Sequence, residues 1–114
     1  MRLVYVAGPY SPLLGRSTER NIEVAQEWAV KLYKAGWSVI TPNLNSPSGR
    51  FLEELPATHD FWLPRDIAIL ARCDAIFMLP RWQESKGAVE EHHVAQGLDL
   101  EILYHSDWEE SCES

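Results

Sequence analysis

The sequence has few cysteines and no long apolar run, and each of these features excludes a class of protein. Only Cys73 and Cys112 occur in 114 residues, which is too few for a disulfide framework, so we expect free thiols. The apolar run after Arg2 stops at Gly8, too early for a signal peptide, and no stretch approaches bilayer-spanning length. We therefore expect a cytoplasmic protein that has no membrane partner.

Basic residues are also scarce. Ten Lys and Arg stand against 17 Asp and Glu, which gives a formal net charge of -7. The chain lacks the basic face that follows a DNA or RNA backbone, so we expect no polymeric nucleic acid as a partner. Small nucleotides remain compatible with this charge.

The length and the apolar content of 46% fit one domain, which we place at residues 1–105, followed by an acidic tail at residues 106–114. Short apolar runs, which are typical of strands, alternate along the domain with segments of helical periodicity. The pattern predicts a strand from Leu3 to Ala7, a helix from about Thr18 to Ala35, a strand from Trp37 to Thr41, a helix from Asp60 to Cys73, a strand from Ala75 to Leu79, a helix from Ser85 to Gly97 and a strand from Leu100 to Tyr104.

This order predicts an α/β fold with three layers, Rossmann-like or flavodoxin-like, in which about four parallel strands carry helices on both faces. The expected strand order is 2-1-3-4. In such a sheet the ligand crevice opens at the carboxyl ends of strands one and three. The loops Gly8-Pro9-Tyr10, Pro80-Arg81-Trp82 and Ser85-Lys86-Gly87 should therefore meet at one site.

Two segments lack a regular pattern. The stretch from Asn43 to about His59 is long for a loop in a small domain, and its apolar residues favour a lid or an irregular helix over a flexible tether. In the acidic tail, Trp108 could anchor the chain to the domain or to a neighbouring subunit. Asp74, at a helix-to-strand junction, is interpreted as closing a turn.

The helix that begins near Ser85 combines small residues with a carboxylate. Gly87 and Ala88 at its start would let an anionic or sugar group approach backbone N–H groups. Helical phase places Glu91 on the same side as Ala88, whereas Glu90 lies nearly opposite. We expect the helix dipole to keep Glu91 ionised and therefore nucleophilic.

A second carboxylate, Asp66, interrupts the apolar stripe of the preceding helix. It is either a buried cap or ion-pair partner, or it faces the same crevice as Glu91. Two converging carboxylates, about 5 Å apart in the retaining geometry, are what glycosidic-bond cleavage requires. Tyr5 is most simply a core residue, although its phenol could reach the crevice.

Other residues near the predicted crevice have both a structural and a functional interpretation. Ser85 is an N-cap or a phosphate ligand. Tyr10 and Trp82 either pack in the ordinary way or stack on a nucleobase. The adjacent His92 and His93 lack the spacing of a metal pair, so we expect no metal site.

Taken together, these motifs resemble the nucleoside 2-deoxyribosyltransferase superfamily, which includes 2′-deoxynucleoside 5′-phosphate N-hydrolases and small uncharacterised proteins. The resemblance covers Leu3 to Gly97. It rests on Tyr5-Val6-Ala7-Gly8-Pro9, Asn21, Asp66, Cys73-Asp74-Ala75 and Ser85-x-Gly87-Ala88-x-x-Glu91.

The resemblance implies an enzyme that needs no cofactor. Glu91 would attack the anomeric carbon and form a glycosyl-enzyme ester, which water or a second base resolves. Asp66 would protonate the leaving base or hold a sugar hydroxyl, and Tyr5 would orient the nucleophile. The remaining expected substrate-binding residues are Gly8, Pro9, Tyr10, Asn21, Arg81, Trp82, Ser85, Gly87 and Ala88, with Ser85 and the Gly8 loop on a 5′-phosphate.

One position departs from the resemblance, because the small relatives often have Gly-Trp where this chain has Arg81-Trp82. Arg81 would be an extra phosphate ligand or would fill the pocket. The leading hypothesis is N-glycosidic cleavage or deoxyribosyl transfer on a nucleoside or its 5′-monophosphate, in a homo-oligomer. The alternatives are a non-catalytic nucleotide-sensing module and an assembly subunit that uses an exposed Trp108 and the long loop.

Overall fold

The structure, a computed structural model, describes residues 1–9, 17–42, 54–56 and 58–108, and strands alternate with helices along it. The chain order of the principal elements is β1 (Leu3–Ala7), α1 (Thr18–Lys34), β2 (Ser38–Ile40), α2 (His59–Leu70), β3 (Ala75–Met78), a 3-10 helix (Trp82–Glu84), α3 (Lys86–Gly97) and β4 (Glu101–Tyr104). No helix in these ranges is long and apolar enough to cross a membrane.

All four strands are parallel, and their order in the sheet is β2-β1-β3-β4. This arrangement confirms the predicted α/β fold and strand order. The two central strands are β1 and β3, with Tyr5 aligned to Ile76. Because the strands are parallel, the loops after β1 and β3 leave the sheet at the same edge.

The sheet buries both faces, and alternate residues of each strand belong to different cores. One core contains α1, with Trp28 and Leu32 packed among Val4, Val6 and Phe77. The other core contains Tyr5 and Ala7, and it also includes Leu70 of α2, Cys73 in the turn after α2, and Ala88 and Ala95 of α3. Tyr5 therefore faces the side of the sheet that α2 and α3 cover.

The ends of α1 lie within one residue of the predicted bounds. The Ser17 hydroxyl accepts a hydrogen bond from the backbone N–H of Arg20 at 3.1 Å, which caps the first turn. Helical residues end at Lys34, and Gly36 adopts a φ of 99°, the left-handed conformation that stops a helix.

Helix α2 contains a proline in its interior. The helix begins at His59, so Pro64 lies in its second turn and not in the first turn, where a proline is tolerated. Pro64 has no N–H to donate to the carbonyl of Asp60. Both residues are exposed, so water can hydrate that carbonyl.

The chain after β4 turns into a helical segment at residues 105–108 and packs onto the α1 side of the sheet. The Trp108 ring meets the Phe77 ring edge-on, with centroids 5.8 Å apart. Trp108 thus packs against the domain, as one of its two interpretations predicted, while a contact of the tail and the long loop with another protein stays a prediction. The predicted lid falls largely at residues 43–53, which lie outside the described residues, as does most of the acidic tail.

Candidate active site

The centre of the candidate site is a hydrogen bond from the Tyr5 hydroxyl to the Glu91 carboxyl oxygen Oε2. Tyr5 is fully buried, and the exposure of Glu91 is only 7%. β1 supplies the tyrosine from the middle of the sheet, and the second turn of α3 supplies the carboxyl group. The structure therefore brings together two of the three predicted catalytic residues.

Burial raises the pKa of Glu91 from 4.5 to about 8, and the charges of Asp66 and Glu90 act in the same direction, whereas the Tyr5 hydrogen bond lowers it. The expectation that the helix dipole keeps Glu91 ionised is therefore wrong at neutral pH. The dipole acts mainly on the first turn, and Glu91 lies in the second turn, where the loss of hydration is the larger effect.

Tyr5 stays protonated and acts as the donor, because burial and then the neighbouring charge of Glu91 raise its pKa well above the ordinary range. The charge of Asp66, on α2, raises the pKa of Tyr5 and of Glu91 alike. Asp66 is half-buried, and because its charge acts on both residues it lies near them. This proximity favours the interpretation in which Asp66 and Glu91 face the same crevice.

Ser85 is the N-cap of α3. Its hydroxyl oxygen accepts a hydrogen bond from the Ala88 N–H at 3.2 Å. Ala88 is 1% exposed and packs into the core beneath the helix. The Ala88 N–H therefore already has an acceptor, which leaves Lys86 and Gly87 as the first-turn residues that have no acceptor within the helix.

Gly8 and Leu79 bring the ends of the two central strands into close contact. A Cβ atom built on Gly8 would lie 2.6 Å from Leu79 Cβ and 2.7 Å from its Cδ1. The absence of a side chain at Gly8 therefore has a packing explanation, whether or not a ligand also approaches. The next residue, Pro9, is buried at the same edge of the sheet.

Arg81 occupies a turn position that favours glycine. The backbone N–H of Trp82 donates to the carbonyl of Leu79 at 3.1 Å, with Pro80 and Arg81 at the two central positions. Arg81 has φ 67° and ψ 19°, the left-handed values of the third residue of a type II turn. Its guanidinium Nε lies 2.6 Å from Glu84 Oε2 in a half-buried ion pair, so the predicted phosphate ligand has a carboxylate partner.

Trp82 lies next to two aromatic residues, and this cluster was not predicted from the sequence. Its ring centroid is 4.5 Å from that of His92, and His92 Nε2 is 2.8 Å from the Tyr104 hydroxyl oxygen. Tyr104 belongs to β4, two strands away from Tyr5. The structure thus places Trp82 on the β4 side of α3, whereas Tyr5 lies on the β1 side.

Two predicted substrate-binding residues remain, Asn21 and Tyr10. Asn21 is buried in the first turn of α1, a helix that packs on the opposite face of the sheet from α2 and α3. Tyr10 is outside the described residues. Cys73 is a buried free thiol whose Sγ lies 3.4 Å from the Ile69 carbonyl oxygen.

Comparison with known proteins gives a match to a family whose function is unknown. Residues 2–104 match the model of the family described as Domain of unknown function (DUF4406). The chain belongs to this family. No curated protein matches it. The DUF4406 match covers every strand and every principal helix, so the Tyr5–Glu91 pair lies within the region that defines the family.

Proposed function

We propose that this protein cleaves the N-glycosidic bond of a nucleoside or nucleoside 5′-monophosphate, or transfers its deoxyribosyl group, with Glu91 as the nucleophile. The observation that carries the proposal is the buried hydrogen bond from Tyr5 to Glu91. A carboxyl group that is only 7% exposed, and that has one oxygen held by a fixed donor, is oriented for attack on a carbon atom.

In the proposed reaction, ionised Glu91 attacks the anomeric carbon while the bond from that carbon to the base nitrogen breaks and its electron pair leaves with the base. Asp66, within electrostatic range of Glu91, protonates the departing base or binds a sugar hydroxyl. Water then attacks the anomeric carbon of the glycosyl ester, and the bond from that carbon to Glu91 breaks. One proton of the water goes to Asp66, or to the departed base where Asp66 only binds the hydroxyl, and the sugar and the Glu91 carboxylate are released. If a second base takes the place of water, the outcome is transfer.

The raised pKa of Glu91 supports a second candidate, a nucleotide-binding module that does not turn over its ligand. With a pKa of about 8, most Glu91 carboxyl groups carry a proton at pH 7. A protonated carboxyl group donates a hydrogen bond but is a poor nucleophile. Such a module would bind ligand most tightly below pH 8, whereas the enzyme would work best above it.

The deciding experiment incubates the protein with the four deoxynucleosides, their 5′-monophosphates and the ribose counterparts, and measures free base by chromatography at pH 7 and pH 8.5. We expect base release that is lost in Glu91→Gln and kept in the matched control Glu90→Gln, because the two acids are neighbours on α3 and only Glu91 bonds Tyr5. Equal rates in Glu91→Gln and wild type contradict the mechanism.

Two further results separate the candidates. A glycosyl ester on Glu91, seen as an added mass after an acid quench, supports the enzyme. Thermal stabilisation by a nucleotide without base release supports the binding module. The expected homo-oligomeric state and cytoplasmic location remain predictions, and sedimentation of the purified protein tests the first of them.

A further inference from the structure

Two consecutive residues of α3 each bind a tyrosine, and the two tyrosines lie on opposite sides of β3. Glu91 accepts a hydrogen bond from Tyr5 of β1, and His92 Nε2 lies 2.8 Å from the hydroxyl of Tyr104 on β4. Since β1 and β4 both pair with β3, about 10 Å of sheet separates them. Successive helical residues point about 100° apart, which lets one turn of α3 reach both strands.

His92 also contacts the segment that leads into α3. Its ring centroid lies 4.5 Å from that of Trp82, and the two planes are inclined by 31°. Trp82 is the first residue of the 3-10 helix, which ends one residue before the Ser85 cap. One side chain therefore links α3 to β4 and to the segment that precedes the helix.

We propose that His92 is a positioning residue that fixes the rotation of α3 about its axis and thereby holds the Glu91 carboxyl group against Tyr5. The side chains of a helix end about 5 to 6 Å from its axis. A rotation of about 10° therefore moves the Glu91 carboxyl group by about 1 Å, enough to break its hydrogen bond to Tyr5.

The charge state of His92 indicates that this residue acts on Glu91 through the position of the helix and not through an electric charge. Burial lowers the pKa of His92, and the neighbouring His93 lowers it further, so the ring is neutral at pH 7 and above. A neutral ring adds no charge to the surroundings of Glu91. The charged and titratable groups that act on Glu91 are Asp66 from α2, Tyr5 from β1 and Glu90 from its own helix.

The test measures the titration of Glu91 by carbon-13 NMR of carboxyl-labelled glutamate, with Glu91→Gln to assign the signal. Tyr104→Phe removes only the hydroxyl group, His92→Phe keeps a ring beside Trp82, and His92→Gln keeps a hydrogen-bonding group. The matched control is Tyr33→Phe, because the Tyr33 hydroxyl donates to the Val39 carbonyl at 3.3 Å at the α1–β2 contact.

We expect Tyr104→Phe and His92→Phe to lower the Glu91 midpoint by at least about half a pH unit. Loss of the Tyr5 hydrogen bond alone would raise the midpoint, but burial is the larger influence on the pKa of Glu91, so the entry of water decides the direction. His92→Gln should restore part of the difference, and Tyr33→Phe should leave the midpoint unchanged. An unchanged midpoint in Tyr104→Phe overturns the inference. This variant carries the test even where His92→Phe does not fold.

The effect on catalysis rests on the proposed function, and its failure can be told apart from failure of the inference. In a protein that releases base, Tyr104→Phe should lower kcat about tenfold with KM unchanged at about pH 9.5, where Glu91 is ionised in both proteins, since a carboxylate displaced by about 1 Å reacts more slowly. A shifted midpoint in a protein that releases no base upholds the positioning role and contradicts the proposed function. An unaltered kcat in Tyr104→Phe overturns the positioning role.

Discussion

Tyr5 and Glu91 are 86 residues apart in the chain, yet the hydroxyl of one donates a hydrogen bond to the carboxyl group of the other in the interior. A polar pair in an apolar core is costly unless each member is hydrogen-bonded. Two apolar side chains of similar volume would fill the same space. The hydrogen-bonded phenol and acid in this core are therefore the residues to vary experimentally.

The stability of the protein should depend on pH through Glu91. Its pKa is raised to about 8 in the folded chain from 4.5, so the folded state binds the proton more tightly. Stability from this group is complete below pH 4.5 and is lost as the pH rises through 8. Denaturant unfolding should show a decline of the order of a few kcal/mol between these limits. The decline should be absent in Glu91→Gln, and an equal decline in that variant contradicts the assignment.

The rate of base release should rise with pH. A nucleophilic Glu91 is ionised only above its pKa of about 8, so kcat/KM should increase about tenfold per pH unit below 8 and level off above it. Measured rates between pH 6 and pH 9.5 decide this. A rate that falls over the same range would identify Glu91 as a proton donor, and the nucleophile would then have to be Asp66.

Tyr5→Phe should reduce base release while leaving the fold intact. The substitution keeps the ring in the core and removes the one hydrogen bond that favours ionised Glu91. We expect a loss of about 10- to 100-fold in kcat/KM at pH 7, in line with a hydrogen bond to a charged group. The pH at which the rate levels off should also move upward. Tyr33→Phe provides the control, and a matching loss there would point to a general effect of tyrosine removal.

Gly8→Ala and Gly97→Ala should change stability in opposite directions. The new Cβ at position 8 would lie 2.6 Å from Leu79 Cβ, which is fixed to the backbone and cannot give way. We expect Gly8→Ala to lower the free energy of unfolding by about 1 to 3 kcal/mol. A Cβ on Gly97 meets nothing within 4 Å, so Gly97→Ala, at the last residue of α3, should be neutral or stabilising by up to about 1 kcal/mol. Thermal unfolding of both variants provides the comparison.

Arg81→Gly should be more stable than Arg81→Ala, the reverse of the usual order. Both variants lose the ion pair with Glu84. Only glycine relieves the left-handed backbone, with its φ of 67°. We expect a difference in the free energy of unfolding of about 1 kcal/mol in favour of glycine. Equal stabilities would mean that the turn at Leu79–Trp82 relaxes when Arg81 is removed.

Much of the fold could be predicted because local signals agreed with the sheet topology. The apolar runs of β1 and β3 are flanked by glycine, proline and polar residues, and Ser17 and Gly36 mark the ends of α1. The strand order follows from right-handed crossovers between parallel strands. Asp74 was interpreted as closing a turn, whereas its carboxylate accepts the Leu3 N–H at 2.7 Å and so joins the start of β3 to the start of β1.

Other features depend on neighbours that the sequence does not reveal. Helical phase predicted that Glu91 faces inward, but the loss of water around it, which decides its pKa, depends on how closely α2 and α3 cover Tyr5. The contact of His92 with Tyr104 could not be predicted without the pairing of β4 with β3. Arg81 concealed the left-handed turn, because the glycine that normally signals a type II turn is missing there.

The position of β1 between β2 and β3 has a consequence for how the chain folds. During synthesis Tyr5 leaves the ribosome first, and at about 5 to 20 residues per second Glu91 follows on the order of 4 to 17 s later. Until β3 arrives, β1 lacks one of its two neighbours, and its apolar residues depend on transient partners. Parallel pairings with long crossovers also close slowly. The carboxyl group and the phenol can therefore meet only after every strand and helix that precedes Glu91 among the described residues has been synthesised.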